Sequence, residues 1–116
     1  MRLASDERPD LMLELRVLGT WAERLRGLLG TRADAEPVLL ARCGSIHTYG
    51  MRYPIDVALV GKLGEVVAAR RALGPRELLA HAGARCAIER PAGRGPWPEV
   101  GEHLWVRAAS ADGVGA

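Results

Sequence analysis

The run IDVALVGKLGEVVAARRAL at residues 55–73 constrains the fold more than any other stretch of this chain. Two segments rich in β-formers flank Gly61, Lys62, Leu63 and Gly64, so the chain must turn sharply and return alongside itself as a hairpin. Other segments carry the same signal in shorter form. Leu11, Leu13, Leu15 and Val17 fall on one side of an extended chain, with Glu14 and Arg16 on the other, which predicts a half-buried strand over 11–17. VLLARCG at 38–44, RCAIE at 85–89 and HLWVRAA at 103–109 read as further strands.

One helix stands out among them. Thr20 followed three residues later by Glu23 forms a capping box, and Trp21, Leu25, Leu28 and Leu29 follow helical spacing, predicting a helix over 21–29 that ends near Gly30. Residues 31–37 are polar and punctuated by Pro37, a surface loop. GPRELLAHAG at 74–83 reads either as one helical turn after Pro75 or as a crossover loop. Residues 90–102 are dense in Gly and Pro and exclude regular structure for most of their length. The tail at 110–116 is expected to be disordered. Short strands between turn signals, with a single helix, predict a mainly β fold, a compact sandwich or small barrel, forming one domain over 1–109.

Composition narrows the function classes. The net charge of +2 is small, and acidic and basic residues are interleaved, so no nucleic-acid-binding tail is expected. Fifteen of the sixteen basic residues are arginine, only Lys62 being lysine. The excess of Ala and Gly and the absence of Asn, Gln and Phe point to GC-rich codon usage as its source. Charges at Asp6, Glu7, Arg8 and Asp10 stand where a signal peptide needs an apolar stretch, and no apolar run approaches the roughly 18 residues that span a bilayer. No membrane partner is expected, and the reading is of a soluble, cytoplasmic chain. Cys43 and Cys86 are too few for a disulfide framework and read as reduced core or site-lining thiols.

The segment SIHTYGMRYPID at 45–56 is where chemistry concentrates. It places Ser45, His47, Thr48, Tyr49, Arg52, Tyr53 and Asp56 around Gly50 and Pro54, an unusual density of donors and acceptors between two apolar strands. Gly50 permits a positive φ, while Pro54 fixes its own φ and drives Tyr53 toward extended geometry, so the segment can hold a specific shape. Alternation puts Asp56 on a face with Ala58 and Val60, opposite Ile55, Val57 and Leu59.

Several roles compete for these residues. Asp56 can bind backbone amides or Arg52 and serve the fold, with His47 satisfying a hydrogen bond beneath Tyr49. The segment can form a recognition loop on a rigid β scaffold. Asp56 can orient His47 as a general base, with Glu89 as a further carboxylate. Ser45 lacks a nucleophile elbow, which argues against a serine hydrolase. Cys43 with His47 and His81 with Cys86 supply four zinc-type ligands, but at spacings unlike a standard knuckle. Neither a metal nor another cofactor is expected.

The blocks ERLRGLL, SIHTYGMRYPIDVALV, a Gly-containing turn with EVV, and AIERPAG resemble, in order and approximate spacing over about residues 23–106, the bacterial and archaeal domain of unknown function family 192. The resemblance falls on Arg24, Gly27 and Leu28, on His47, Thr48, Met51, Pro54 and Asp56, and on Glu89 and Gly93. Leu29 stands where that family often has Met, and Gly50 replaces the aromatic that often precedes the motif Met. What it implies is a β-sandwich of jelly-roll type with a short helix; it supplies no reaction.

The leading expectation is a non-catalytic binding module. Its pocket is formed by Arg24, Ser45, His47, Thr48, Tyr49, Met51, Arg52, Asp56 and Glu89, and its ligand is a hydroxyl-rich small molecule such as a saccharide. The alternatives are a small hydrolase using His47 and Asp56 with Glu89, and a protein-interaction module. For the last, Trp97 between two prolines is the expected surface contact, while Trp105 is expected in the core.

Overall fold

A computed structural model describes residues 1–107 and organises them as three sheets and one helix. The strands are β1 (Arg2–Ser5), β2 (Met12–Glu14), β3 (Arg16–Leu18), β4 (Val38–Ala41), β5 (Ser45–His47), β6 (Ile55–Gly61), β7 (Val66–Leu73), β8 (Leu78–Ala80), β9 (Ala84–Pro91) and β10 (Leu104–Val106). The helix α1 (Trp21–Arg26) lies between β3 and β4. The mainly β expectation holds, with one short helix among the described residues, but the sheets do not close into a barrel. The tail expected to be disordered lies outside the described residues.

A five-stranded sheet of order β3-β4-β9-β6-β7 forms the centre. The predicted hairpin is its β6–β7 edge, and the parallel β3–β4 pair is its other edge. One face carries Leu39, Ala58, Val60 and Ile88, which pack with Leu3, Leu13 and Leu104 of the three-stranded sheet β10-β1-β2 and with Trp97. The opposite face carries Val38, Leu40, Val57, Leu59 and Ala87, which pack with Leu28 and with Ile46 of the two-stranded sheet β5-β8. The central strands are therefore apolar on both sides, as β6 shows by being buried along its whole length.

Four local expectations are corrected. The strand predicted over 11–17 is broken at Leu15, where the chain leaves the three-stranded sheet and enters the five-stranded one. Leu15 bonds with Met1, and Arg16 donates to the Pro37 carbonyl. This switch turns Val17 outward and Leu18 inward, so the simple alternation fails where the strand changes partners. Residues 45–47, read as part of a loop, form β5, and residues 78–80, read as helical turn or crossover, form its partner β8. The helix stops at Arg26 instead of running to Leu29, because Gly27 adopts φ +52 and takes the chain out of helical geometry.

The two tryptophans exchange their expected places. Trp97 is only 2% exposed, with its indole Nε1 donating to the Val57 carbonyl at 3.1 Å, whereas Trp105 on β10 is 46% exposed. The Pro and Gly around Trp97 free the chain from regular structure, letting Trp97 and Pro98 fold inward over the sheet face instead of projecting from it. Arg8 closes that arrangement by donating to the Trp97 carbonyl and, through Nε and Nη2, to Glu102 at 2.6 and 2.9 Å.

Candidate functional site

The segment 45–56 divides into residues that build the fold and residues that face a cleft. Thr48 is fully buried and staples two loops. Its hydroxyl donates to the Gly74 carbonyl at 2.6 Å and accepts the Glu77 amide at 2.8 Å, while its own amide donates to the Glu77 carbonyl. Tyr53 shares a hydrogen bond with Thr31, anchoring the loop that follows α1.

Asp56 is likewise enclosed in the fold. One carboxylate oxygen accepts the Ala72 amide at 2.9 Å, and the other accepts Arg90 Nε at 2.8 Å and the Gly93 amide at 3.2 Å, with Arg71 Nη2 at 3.8 Å. The reason lies in the strand pairing. β6 and β7 slip register between Ile55 and Val57, forming a bulge, and opposite it Ala72 takes φ +52. The carboxylate holds the amide of that strained residue and pins the Gly-rich strand end of 90–95 through Arg90. Arg90 in turn lies over the Trp97 ring, its Cζ 4.6 Å from the centroid. Both carboxylate oxygens of Asp56 are thus engaged by the protein, and it does not line the cleft described next.

That cleft, about 280 Å3, opens between α1, the end of β4 and the stretch 43–51. The sequence-predicted residues Arg24, Ser45, His47, Tyr49, Met51 and Glu89 all line it. Thr48 and Asp56 do not, and Arg52 borders an adjoining hollow with Thr31 and Tyr53. The proposed pairing of His47 with Asp56 is therefore not formed as a cleft feature; the carboxyl that shares the cleft with His47 is Glu89. Ser45 and His47 are exposed on one side of β5 and Ile46 is buried on the other, which brings both polar side chains to the cleft by simple alternation. The His47 and Tyr49 rings lie 5.7 Å apart at 47°.

Glu89 sits at the floor. In the sheet its neighbours in register are Val38 and Val57, both wholly buried, and the residue itself is 4% exposed. Burial in this apolar frame pushes its carboxyl up to about 7, opposed by the Leu28 backbone amide, which favours the charged form. Gly27 leaves room for it: a Cβ at that position would stand 3.0 Å from Glu89 Oε1. The positive φ that stops the helix and the missing side chain that admits the carboxyl are the same residue.

Arg24 forms one wall. Its Nη1 donates to the Arg42 carbonyl at 3.1 Å, and Arg42 is held at φ +52. Its Nε is buried with no hydrogen-bond partner among the described residues. Such a group costs free energy unless something completes it.

The helix supplies the rim. Although Trp21 and Leu25 fit helical spacing, they are 72% and 63% exposed, and α1 buries none of its own residues. The apolar residues Trp21 and Leu25 that helped predict the helix face the cleft mouth, together with half-exposed Tyr49. Trp21, Leu25, Arg26 and Arg42 are cleft residues that sequence reasoning assigned no functional role. The stripe of α1 was a visible signal, used only to predict a helix; the position of Arg42 depends on a backbone turn with no sequence mark.

Zinc-type ligands do not gather. Cys43 packs on the face of Val57 and Leu59 while Cys86 packs on the face of Ala58 and Ile88. His81 Nδ1 accepts the Gly83 amide, and no group of three His, Cys, Asp or Glu suited to a metal occurs among the described residues.

No protein-family model matches the chain, and no curated protein does. Among solved structures, the chain is similar to a protein of unknown function from Novosphingobium aromaticivorans, with a TM-score of 0.70 at 17% identity over 90% of this chain and 82% of that one. It is equally similar to a candidate transcription regulator from Sinorhizobium meliloti, with a TM-score of 0.70 at 17% identity over 90% of this chain and 89% of that one. At this identity the likeness shows that the fold is shared.

Proposed function

We propose that this protein is a small-molecule-binding domain that takes a compact hydroxylated ligand, a saccharide in the first instance, in the cleft between α1 and β5. The observation that carries the reading is a buried carboxyl, Glu89, and an unpartnered guanidinium nitrogen, Arg24 Nε, on one cleft edged by exposed aromatic rings. A ligand hydroxyl can donate to Glu89 and accept from Arg24, while Trp21 and Tyr49 offer faces to the C–H surface of a sugar ring. The volume lies at the small end of ligand sites, which suits one ring and not a chain of them. The resemblance to family 192 falls on the cleft residues Arg24, His47, Met51 and Glu89, and equally on Thr48 and Asp56, which lie outside the cleft. The unbridged thiols Cys43 and Cys86 suit a cytoplasmic setting.

The test is a titration of monosaccharides followed by backbone amide NMR. Expected are shifts confined to residues 21–29, 43–51 and 89, lost in Glu89→Gln and in Arg24→Gln. Monosaccharides that leave those amides unmoved sink the reading.

A second reading is favoured by the sharing of the cleft between His47 and Glu89. A carboxyl poised near neutrality on the same cleft as an imidazole can serve general acid and base chemistry, so an acid/base hydrolase runs second, with Glu89 in the place first given to Asp56. Turnover of nitrophenyl glycosides, abolished by Glu89→Gln, would favour catalysis over binding.

A further inference from the structure

We propose that the occupant of this cleft is acidic, a small hydroxylated carboxylate such as an acid sugar or hydroxy acid, with its carboxylate on Arg24 and a hydroxyl on Glu89. The proposal rests on the ligand-binding reading above and deepens it by assigning the ligand's charge.

Charge balance is the first argument. Arg24, Arg26 and Arg42 all line the cleft, and Glu89 is the one carboxyl among the lining residues. None of the three arginines forms an ion pair among the described residues, whereas Arg2, Arg8, Arg70, Arg71 and Arg90 each have a carboxylate. Glu89, buried between Val38 and Val57 and raised to about 7, does not cancel three guanidinium charges near neutrality. The cleft is positive, and a concave positive surface concentrates anions.

The second argument is geometric. Arg24 uses Nη1 on the Arg42 carbonyl, which fixes the plane of the guanidinium. That leaves the Nε and Nη2 edge, where Nε is unpartnered among the described residues and Nη2 makes no hydrogen bond among them. Nε is shut off from solvent, so the lightly held α1 has to shift to uncover it, and the two parallel N–H donors then match the two oxygens of a carboxylate. A neutral sugar hydroxyl would satisfy one donor and leave the charge uncompensated.

The experiment is calorimetric titration of the wild-type protein with glucuronate, galacturonate, gluconate and malate, set against glucose and galactose. At least one acid is expected to bind ten-fold or more tighter than the neutral sugars, and to weaken several-fold between 50 and 500 mM salt while neutral sugars are unaffected. Arg24→Gln should bring the acid down to the affinity of the neutral sugars. Should that variant unfold, the exposed Arg26→Gln serves, with a several-fold loss for the acid alone. Neutral sugars binding as tightly as every acid would overturn the acidic assignment and leave the binding site standing. If neither series binds, both readings fall.

Discussion

Asp56 and Glu89 lie one residue out of register on neighbouring strands, Asp56 opposite Arg90 and Val57 opposite Glu89, and so point to opposite faces of the central sheet. This separates two carboxyls that look interchangeable in sequence. One is held on both oxygens by arginine and backbone amides; the other lies in an apolar frame at the floor of a cleft. A mechanism using both on one substrate is excluded by that register.

Replacing Asp56 should therefore harm the fold before it harms any site. Asp56→Ala leaves the partly buried Arg90 without its closest carboxylate and the Ala72 and Gly93 amides without an acceptor. A loss of about 3 kcal/mol in urea unfolding is expected. A variant as stable as wild type would show that these bonds contribute nothing.

Glu89 should make stability depend on pH in an unusual direction. In the unfolded chain it ionises near the ordinary 4.5, in the folded chain near 7, so between those values the folded state holds the extra proton. Its contribution is fully present below pH 4.5 and declines as pH rises to 7, by up to about 3 kcal/mol, then levels off. Glu89→Gln should flatten this segment of the curve of unfolding free energy against pH.

Gly64 is a position that tolerates nothing larger. It has φ +88, and a Cβ there would stand 2.4 Å from the Leu104 carbonyl oxygen, in the backbone of β10. Gly64→Ala should cost about 3 kcal/mol by forcing β10 away from the hairpin turn. Chemical denaturation at matched pH measures it.

Trp97 carries a large share of one core layer. Trp97→Ala removes its packing on the sheet, the Arg90 stacking and the donor to the Val57 carbonyl, and should cost about 4 kcal/mol. In wild-type protein its emission should be blue-shifted and shielded from iodide, while exposed Trp21 should be quenched. Trp105 is also exposed, so iodide quenching of the double variant Trp21→Phe, Trp105→Phe against wild type isolates the Trp97 emission.

The fold was legible wherever sequence signal is local. The hairpin at 55–73 needs only Gly61 and Gly64 between two β-rich runs, and the cap at Thr20 needs only Glu23 three residues on. What was illegible depends on distant partners. Leu15 carries no mark of being the point where a strand changes sheets, and residues 2–5 and 78–80 gain strand form from pairing with β2 and β5. The site follows the same division. Ser45, His47, Tyr49 and Glu89 were found because polar side chains at strand ends are conspicuous. Trp21 and Leu25 were missed because an apolar helical stripe reads the same whether it covers a core or borders a cleft. Asp56 was overvalued because its partners, Arg90, Ala72 and Gly93, are far along the chain.

The fact that α1 buries none of its residues has a consequence for timing. A six-residue helix secured by its capping box and by Arg24 reaching the Arg42 carbonyl has few contacts to lose when it opens. Its amides should exchange with solvent by local opening, far ahead of those in β6 and β9. Any molecule that fills the cleft then has to still this helix as well as touch it, so slowed exchange at residues 24–27 is the earliest sign that an occupant has arrived.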